Sequence, residues 1–363
     1  MGCEFLFKIF KEGYTLKIKC TEYEVIYNLG VIIMMNKSNI FSKENKNLKN
    51  KNLEHYLDEC NDFYYDPDIW EVDKNCVIRY KDKKVKKLPE DLKLPEGCID
   101  ISYMFAFCYD LVDISPLKNW DTSKIKNMDF IFLYCFDLVD ITPLKNWDIS
   151  NVKNMPGVFK KCYNLVDITP LKNWNTSNAE NMESLFSKCE NLVDISSLKD
   201  WDTSNVKDMN YMFSECSNLK DIYSLKDWDT SNVKDMRYTF SECKNLVDIT
   251  PLQNWDTSNV KDMRELFCEC ENLEDISPLE KWNTSNLENM GYLFSCCTNL
   301  VDISPLKNWD ISNVKYMGGL FFGCKNLTNI SYLKNWDTSN IEGMNRVFDG
   351  CDSIKNYPSW YNK

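Results

Sequence analysis

The sequence predicts an α/β solenoid of about ten stacked 27-residue coils, preceded by a small N-terminal capping region. Three observations carry this. Tryptophan recurs at Trp120, Trp147, Trp174, Trp201, Trp228, Trp255, Trp282, Trp309 and Trp336, always 27 residues apart, and a fixed period between 20 and 50 marks a stacked-repeat architecture. Phenylalanine from Phe105 to Phe348 and cysteine from Cys108 to Cys351 keep ten positions each in the same step. Within one copy the apolar residues follow two different spacings, so each coil combines more than one kind of local structure.

The copy WDTSNVKDMNYMFSECSNLKDIYSLK, residues 201–226, shows those spacings. Val206, Met209, Met212, Phe213 and Cys216 fall at i, i+3, i+6, i+7 and i+10, which predicts one face of a short helix with Ser204 as its N-cap. Leu219, Ile222, Leu225 and Trp228 then follow every third residue. That step fits a short strand near Leu219–Ile222 and a chain bending around a core. A single coil cannot bury its apolar side alone, so neighbouring coils must share one continuous core.

The pattern C-x-x-L-x-x-I-x-x-L is of the leucine-rich-repeat type. The phrases NWDTSNVKDM, MF-x-x-C and C-x-N-L-x-D-I resemble the BspA-like leucine-rich-repeat surface proteins, most closely their short-repeat branch, over residues 98–357. The resemblance implies a right-handed solenoid that binds other macromolecules, often in adhesion or host contact, and it offers no catalytic residue to carry over. One departure stands out: Glu4, Lys8, Lys11 and Glu12 leave no apolar signal segment, and neither end shows an anchor. Unpaired cysteines favour a reducing intracellular compartment, whereas the resemblance favours the cell surface.

Residues 1–97 form a separate region. Segments 4–10, 14–20 and 23–29 are β-branched and aromatic and predict strands. Residues 36–52 are rich in Asn and Lys and read as a linker. KKLPEDLKLPEGC, ending at Cys98, is expected to cap the first coil, and 358–363 form a tail. Residues 1–97 carry 17 basic and 17 acidic side chains. The entire net charge of −12 therefore lies in 98–363, with 26 basic against 38 acidic. An acidic body disfavours nucleic acid, and the longest apolar run, around Val31–Met35, is too short to span a bilayer. A single histidine, His55, argues against His-based catalysis and His-rich metal sites.

The regular columns read first as structure. The cysteine ladder is expected to be buried free thiols, with Cys268, Cys296 and Cys297 as the one place where a bridge is conceivable. The tryptophans are expected in the core, their N–H groups reaching a carbonyl of the adjacent coil, and the column Asn164 to Asn326 is expected to satisfy backbone groups. Asp167, Asp194, Asp221, Asp248 and Asp275 belong to an outward acidic stripe, placed on a concave face and offset by a lysine column that includes Lys118, Lys226 and Lys307. A second column, containing Tyr211, Tyr238, Glu265 and Tyr292, varies from copy to copy. These nine residues are the candidate partner-binding set of a non-enzymatic, monomeric scaffold for a protein partner, with no cofactor or metal. No P-loop, G-x-G-x-x-G, G-x-S-x-G or H-E-x-x-H motif occurs. The alternatives are a passive structural repeat or an enzyme centred on Glu54, His55, Asp58, Glu59 and Cys60, a cluster that reads more simply as an amphipathic helix.

Overall fold

The computed structural model describes residues 4–6, 15–19, 23–28, 31–36, 66, 68–72 and 78–361. It divides into two compact units, Met1–Asp62 and Phe63–Lys363. The division falls at Asp62/Phe63, so residues 63–97, grouped with the N-terminal region on sequence, belong to the same unit as the repeats.

In the first unit, β1 (Glu4–Leu6), β2 (Thr15–Lys19), β3 (Tyr23–Asn28) and β4 (Val31–Asn36) form an antiparallel sheet in sequence order. The registers Glu4↔Lys19, Thr15↔Asn28 and Tyr23↔Asn36 link neighbouring strands. Three strands coincide with the β-branched segments, and β4 arises from the apolar run that follows them. The expected linker, 36–52, gives its first residue, Asn36, to β4; its remainder and the Glu54–Cys60 cluster lie outside the described residues.

The second unit is a repeat solenoid, and its coils differ in local structure from the sequence expectation. No α-helix occurs among the described residues. Over the segment expected to be helical, alternate N–H groups point along the stack. Met209, Tyr211, Phe213 and Glu215 donate to the carbonyls of Asp235, Arg237, Thr239 and Ser241 in the next coil, at 3.1, 2.8, 2.9 and 2.7 Å. The intervening Met212, Ser214 and Cys216 donate back three residues within their own coil. Each residue has one N–H, and spending every second one on a neighbouring coil leaves too few for an i→i−4 ladder. Tight turns also return an apolar side chain inward about every third residue, which is why the spacing imitated a helix. Ser204 is accordingly no helix cap: its own N–H is bound by Asp202 Oδ1 at 3.0 Å.

The expected strand at Leu219–Ile222 is likewise absent. Parallel bridges instead link Asp100, Asn127, Asn154, Asn181, Asp208, Asp235, Asp262, Asn289, Tyr316 and Gly343 along the stack. Near the expected strand only Lys87–Asp113 and Asp302–Asn329 bridge. After each Ile the chain enters a short 3-10 turn, nine of them between Ser115–Asn119 and Ser331–Asn335 among the described residues. Proline at the second position of six of these turns presets the backbone angle.

Up to three Asx turns shape a coil. Asp202, Asp208 and Asp221 accept the N–H of the residue two positions on: Ser204, Asn210 and Tyr223, at 3.0, 2.9 and 2.7 Å. A short acceptor side chain that satisfies a turning backbone is what selects Asp and Asn at these columns.

Inside the coils, the phenylalanines from Phe105 to Phe348 stack with centroids 5.7–5.9 Å apart. Each fully buried ring contributes about 1.5–3 kcal/mol. The spacing of stacked rings varies with place on the coil. It is 6.2–6.4 Å along the tryptophans, but 4.2 Å between Tyr211 and Tyr238 and 5.1 Å between Tyr103 and Phe130. The rings are thus farthest apart along the tryptophans and closest along the tyrosine column.

Aromatic residues plug both ends of the array. Trp70 and Tyr80, on the short hairpin β5 (Trp70–Val72) and β6 (Ile78–Tyr80), pack on Phe105, and Trp70 also meets Trp120. The segment ending at Cys98 joins this cap, with Leu88 and Leu92 buried and Leu92 accepting the Trp120 indole N–H. At the other end Trp360 extends the tryptophan stack, and Tyr357 and Tyr361 cover Phe348. Such caps satisfy the outermost coils, whose edges otherwise invite pairing with other chains.

Candidate partner-binding columns

The ladder geometry creates two outward columns with unusual backbone. Among the described residues, sixteen non-glycine residues have φ between +54° and +66°, and all lie in these columns. One runs Tyr103, Phe130, Ser184, Tyr211, Tyr238, Glu265, Tyr292 and Arg346, with glycine at 157 and 319. The other runs Phe107, Tyr134, Lys161, Lys188, Glu215, Glu242, Glu269 and Cys296, with glycine at 323 and 350. A left-handed conformation costs an L-residue roughly 1–2 kcal/mol, so glycine is the residue the backbone favours here. The chain nevertheless places large side chains at most of these positions.

Those side chains are organised along the axis. Tyr211 and Tyr238 stack at 4.2 Å with planes 7° apart. Burial, followed by the neighbouring Glu265, raises the Tyr238 hydroxyl above its usual pKa. The Phe130 ring lies across Gly157, where a Cβ would come within 2.2 Å of it, and Tyr292 covers Gly319 in the same way. In the second column the character changes along the stack. Phe107 and Tyr134 stack at 5.2 Å, and Lys161 Nζ sits 4.1 Å from the Tyr134 centroid. Lys188 pairs with Glu215 at 2.6 Å. Glu242 lies beyond, its pKa raised by burial and by flanking Glu215 and Glu269. The band thus runs from aromatic through basic to acidic.

Of the nine candidates, Tyr211, Tyr238, Glu265 and Tyr292 share one column of this band. Asp167, Asp194, Asp221, Asp248 and Asp275 are exposed on another part of each coil. Each accepts the backbone N–H two residues on, at 2.7–2.8 Å, which accounts for their sameness in every copy. No hydrogen bond, ion pair or ring contact joins the two sets among the described residues. The expected lysine compensation is also not seen: Lys307 pairs with Glu280 and Lys226 with Asp227, and the ion pair on the acidic column is Asp113 with Lys87. The residues that sequence reasoning missed are the second left-handed column, from Phe107 to Cys296. Their signal was copy-to-copy variation four residues after the first column.

The thiols are structural. All thirteen described cysteines are free, including Cys268, Cys296 and Cys297. Ladder thiols donate to the carbonyl of the Phe 30 residues earlier, as Cys216 does to Phe186 at 3.2 Å, and burial pushes their pKa upward. The N–H groups of the tryptophans from Trp147 to Trp309 likewise reach a leucine carbonyl one coil back, Trp228 to Leu198 at 3.1 Å, whereas that of Trp336 is buried without a hydrogen-bond partner. Of the expected column, Asn272 bonds a backbone carbonyl of the preceding coil, Lys244 O at 2.9 Å, but the regular backbone bonds come from another column. Asn205, Asn232 and Asn259 reach serine carbonyls at 2.7–2.8 Å, while Asn191 and Asn245 meet only the preceding amide, at 3.4–3.5 Å. Among the described residues no cluster of His, Cys, Asp and Glu suits a metal ion, and no helix is long and apolar enough to cross a membrane.

A family model described as "Mycoplasma protein of unknown function, DUF285" matches four overlapping stretches, residues 99–222, 167–251, 189–300 and 247–361. No curated protein and no solved structure matches the chain.

Proposed function

The chain belongs to the DUF285 family of Mycoplasma proteins of unknown function, and we propose that it is a non-enzymatic scaffold that binds a protein partner along its two left-handed columns. The observation that carries this reading is the presence of bulky or charged residues at fourteen of the described positions where glycine would be least strained. Strain repeated over nine coils and combined with side chains that differ between coils suits recognition better than packing. A packing role is served by the invariant phenylalanines and tryptophans. In this reading the solenoid is right-handed with about ten coils, similar to the BspA-like surface proteins, and the contact is one of adhesion or host interaction. Tyr211, Tyr238 and Tyr292 are the aromatic anchors, since rigid aromatic side chains dominate binding energy at interfaces. The exposed Asp stripe adds long-range attraction for a basic partner while its turns keep their shape.

The test is affinity isolation from the native cell with the full chain as bait, beside the triple variant Tyr211→Gly, Tyr238→Gly, Tyr292→Gly. Glycine relieves backbone strain of about 1 kcal/mol per site and gives up about as much in stacking. The variant should therefore keep the thermal midpoint of the parent and lose the captured protein. Equal capture by both baits, or collapse of the variant's stability, would show that these tyrosines support the fold and do not bind.

A further inference from the structure

We infer that a trough on the same side of the array, between Tyr292 and Tyr316, is a binding site for one neutral sugar ring. In the column that carries Asn210, Arg237 and Arg264, the next two coils have Gly291 and Gly318. Two successive missing side chains leave a cleft of about 340 Å³ with Arg264 at one end and Asn345 at the other. That volume lies at the small end of the ~300–1,000 Å³ found for ligand sites, which suits a single ring.

Both walls are held before any ligand arrives. Tyr292 lies flat across Gly319, so close that no Cβ could fit beneath it. Tyr316 packs against Gly343, and its hydroxyl donates to Glu342 Oε2 at 3.0 Å. It is 48% exposed, which leaves an aromatic surface open to solvent. Fixed aromatic faces lower the ordering cost of binding.

Electrostatics narrows the ligand class. Arg264 makes a loose ion pair with Asp262, Nη2 to Oδ2 at 3.7 Å, and its Nε is buried without a hydrogen-bond partner. Glu265 adjoins it in sequence. A cation meets the guanidinium and an anion meets the carboxylates of Asp262 and Glu265 beside it, so a neutral ligand faces the least opposition. Asn289 is committed to the Gly291 N–H and to Asp262, at 3.0 and 3.4 Å, so the polar contacts left for a ligand are Arg264 and the Asn345 amide. A sugar ring offers both a C–H face, suited to the electron-rich faces of two tyrosines, and hydroxyls for planar donors. A proline or aromatic residue of a peptide would match the walls but strip water from Arg264 and Asn345 without replacing it, which is costly. The comparable gap at Gly157 and Ser184 is closed from within: Lys160 Nζ reaches Ser184 Oγ at 3.1 Å and lies about 6 Å from the Phe130 and Tyr211 rings. No such filler occupies the trough at Gly291 and Gly318.

The experiment is saturation-transfer NMR on the full chain with glucose, galactose, mannose and N-acetylglucosamine, and separately with a proline-rich decapeptide. At least one sugar should receive transfer, concentrated on C–H protons of one ring face. Tyr316→Ala and Arg264→Ala should each weaken that sugar's affinity tenfold or more, and Gly318→Leu, by filling the trough, should abolish binding. If the leucine variant does not fold, the two alanine variants decide. No transfer to any of the four sugars, undiminished binding by Tyr316→Ala, or transfer to the peptide alone overturns the assignment. The outcome is independent of whether a protein partner engages the left-handed columns.

Discussion

Replacing Trp228 with alanine probes how the array is held together. The indole is 4% exposed, lies 6.5 Å from the Phe213 ring, and donates to Leu198 O at 3.1 Å. Removing ~150–250 Å² of aromatic surface at ~25 cal/mol per Å² amounts to roughly 4–6 kcal/mol. Allowing for the retained methyl and partial collapse of the cavity, the cost should be about 3–5 kcal/mol. Trp228→Phe keeps a ring and deletes the hydrogen bond, so it should cost closer to ~1–2 kcal/mol. Because coils contact only their neighbours, the damage should be local. Hydrogen exchange followed by mass spectrometry would read it peptide by peptide. The coils carrying Trp201, Trp228 and Trp255 should lose protection, while those carrying Trp120 and Trp309 keep theirs. Uniform loss along the whole array, or a cost below ~1 kcal/mol, would refute a nearest-neighbour core built on this column.

Other expectations follow from the same geometry. Ladder thiols such as Cys189 and Cys243, fully buried and with pKa raised by desolvation, should resist alkylation in the native state, and half-buried Cys296 should label first among the described cysteines; rapid native labelling of the ladder would contradict the packing. Asp129 has its carboxyl pushed up to about 6, by burial and then by Asp100, and its Oδ1 is buried without a hydrogen-bond partner. A carboxyl whose folded pKa is raised binds more protons folded than unfolded, so stability should fall as pH rises from about 4 to about 6. Asp129→Asn should raise the denaturation midpoint at pH 7 and flatten that part of the profile, and an unchanged profile would mean that Asp129 is not penalised in the fold. Asp194→Asn, Asp221→Asn and Asp248→Asn together should preserve the Asx turns, since Asn175 and Asn283 already serve equivalent turns, and should slow association with a basic partner most at low salt. An on-rate unaffected by these changes would remove the steering role.

The period, the inward columns and the buried thiols were legible because burial imposes the same side chain in every coil. The local conformation was not. The i, i+3, i+6, i+7 pattern of Val206 to Phe213 is shared by a helix and by successive tight turns. What separates them is where Tyr211 and Phe213 send their N–H groups, a matter between coils that one coil's spacing does not encode. The left-handed backbone was hidden for a related reason. Glycine would have announced it, but Tyr211 and Glu215 occupy positions whose φ the stack enforces. The acidic stripe was legible as a column but not as a turn: the repetition of Asp221 and its equivalents follows from binding the N–H two residues on, as with Tyr223.

Site-specific photo-crosslinking tests the central claim most directly. A benzophenone amino acid would be placed singly at Tyr211, Glu215 and Tyr238 on the left-handed columns, and at Asp202 and Asp221 on the remainder of the coil. With the full chain irradiated in its native cell, the proposed scaffold predicts that the same partner protein is trapped from Tyr211, Glu215 and Tyr238, and not from Asp202 or Asp221. Trapping from Asp202 or Asp221 alone, or from none of the five, would contradict the account.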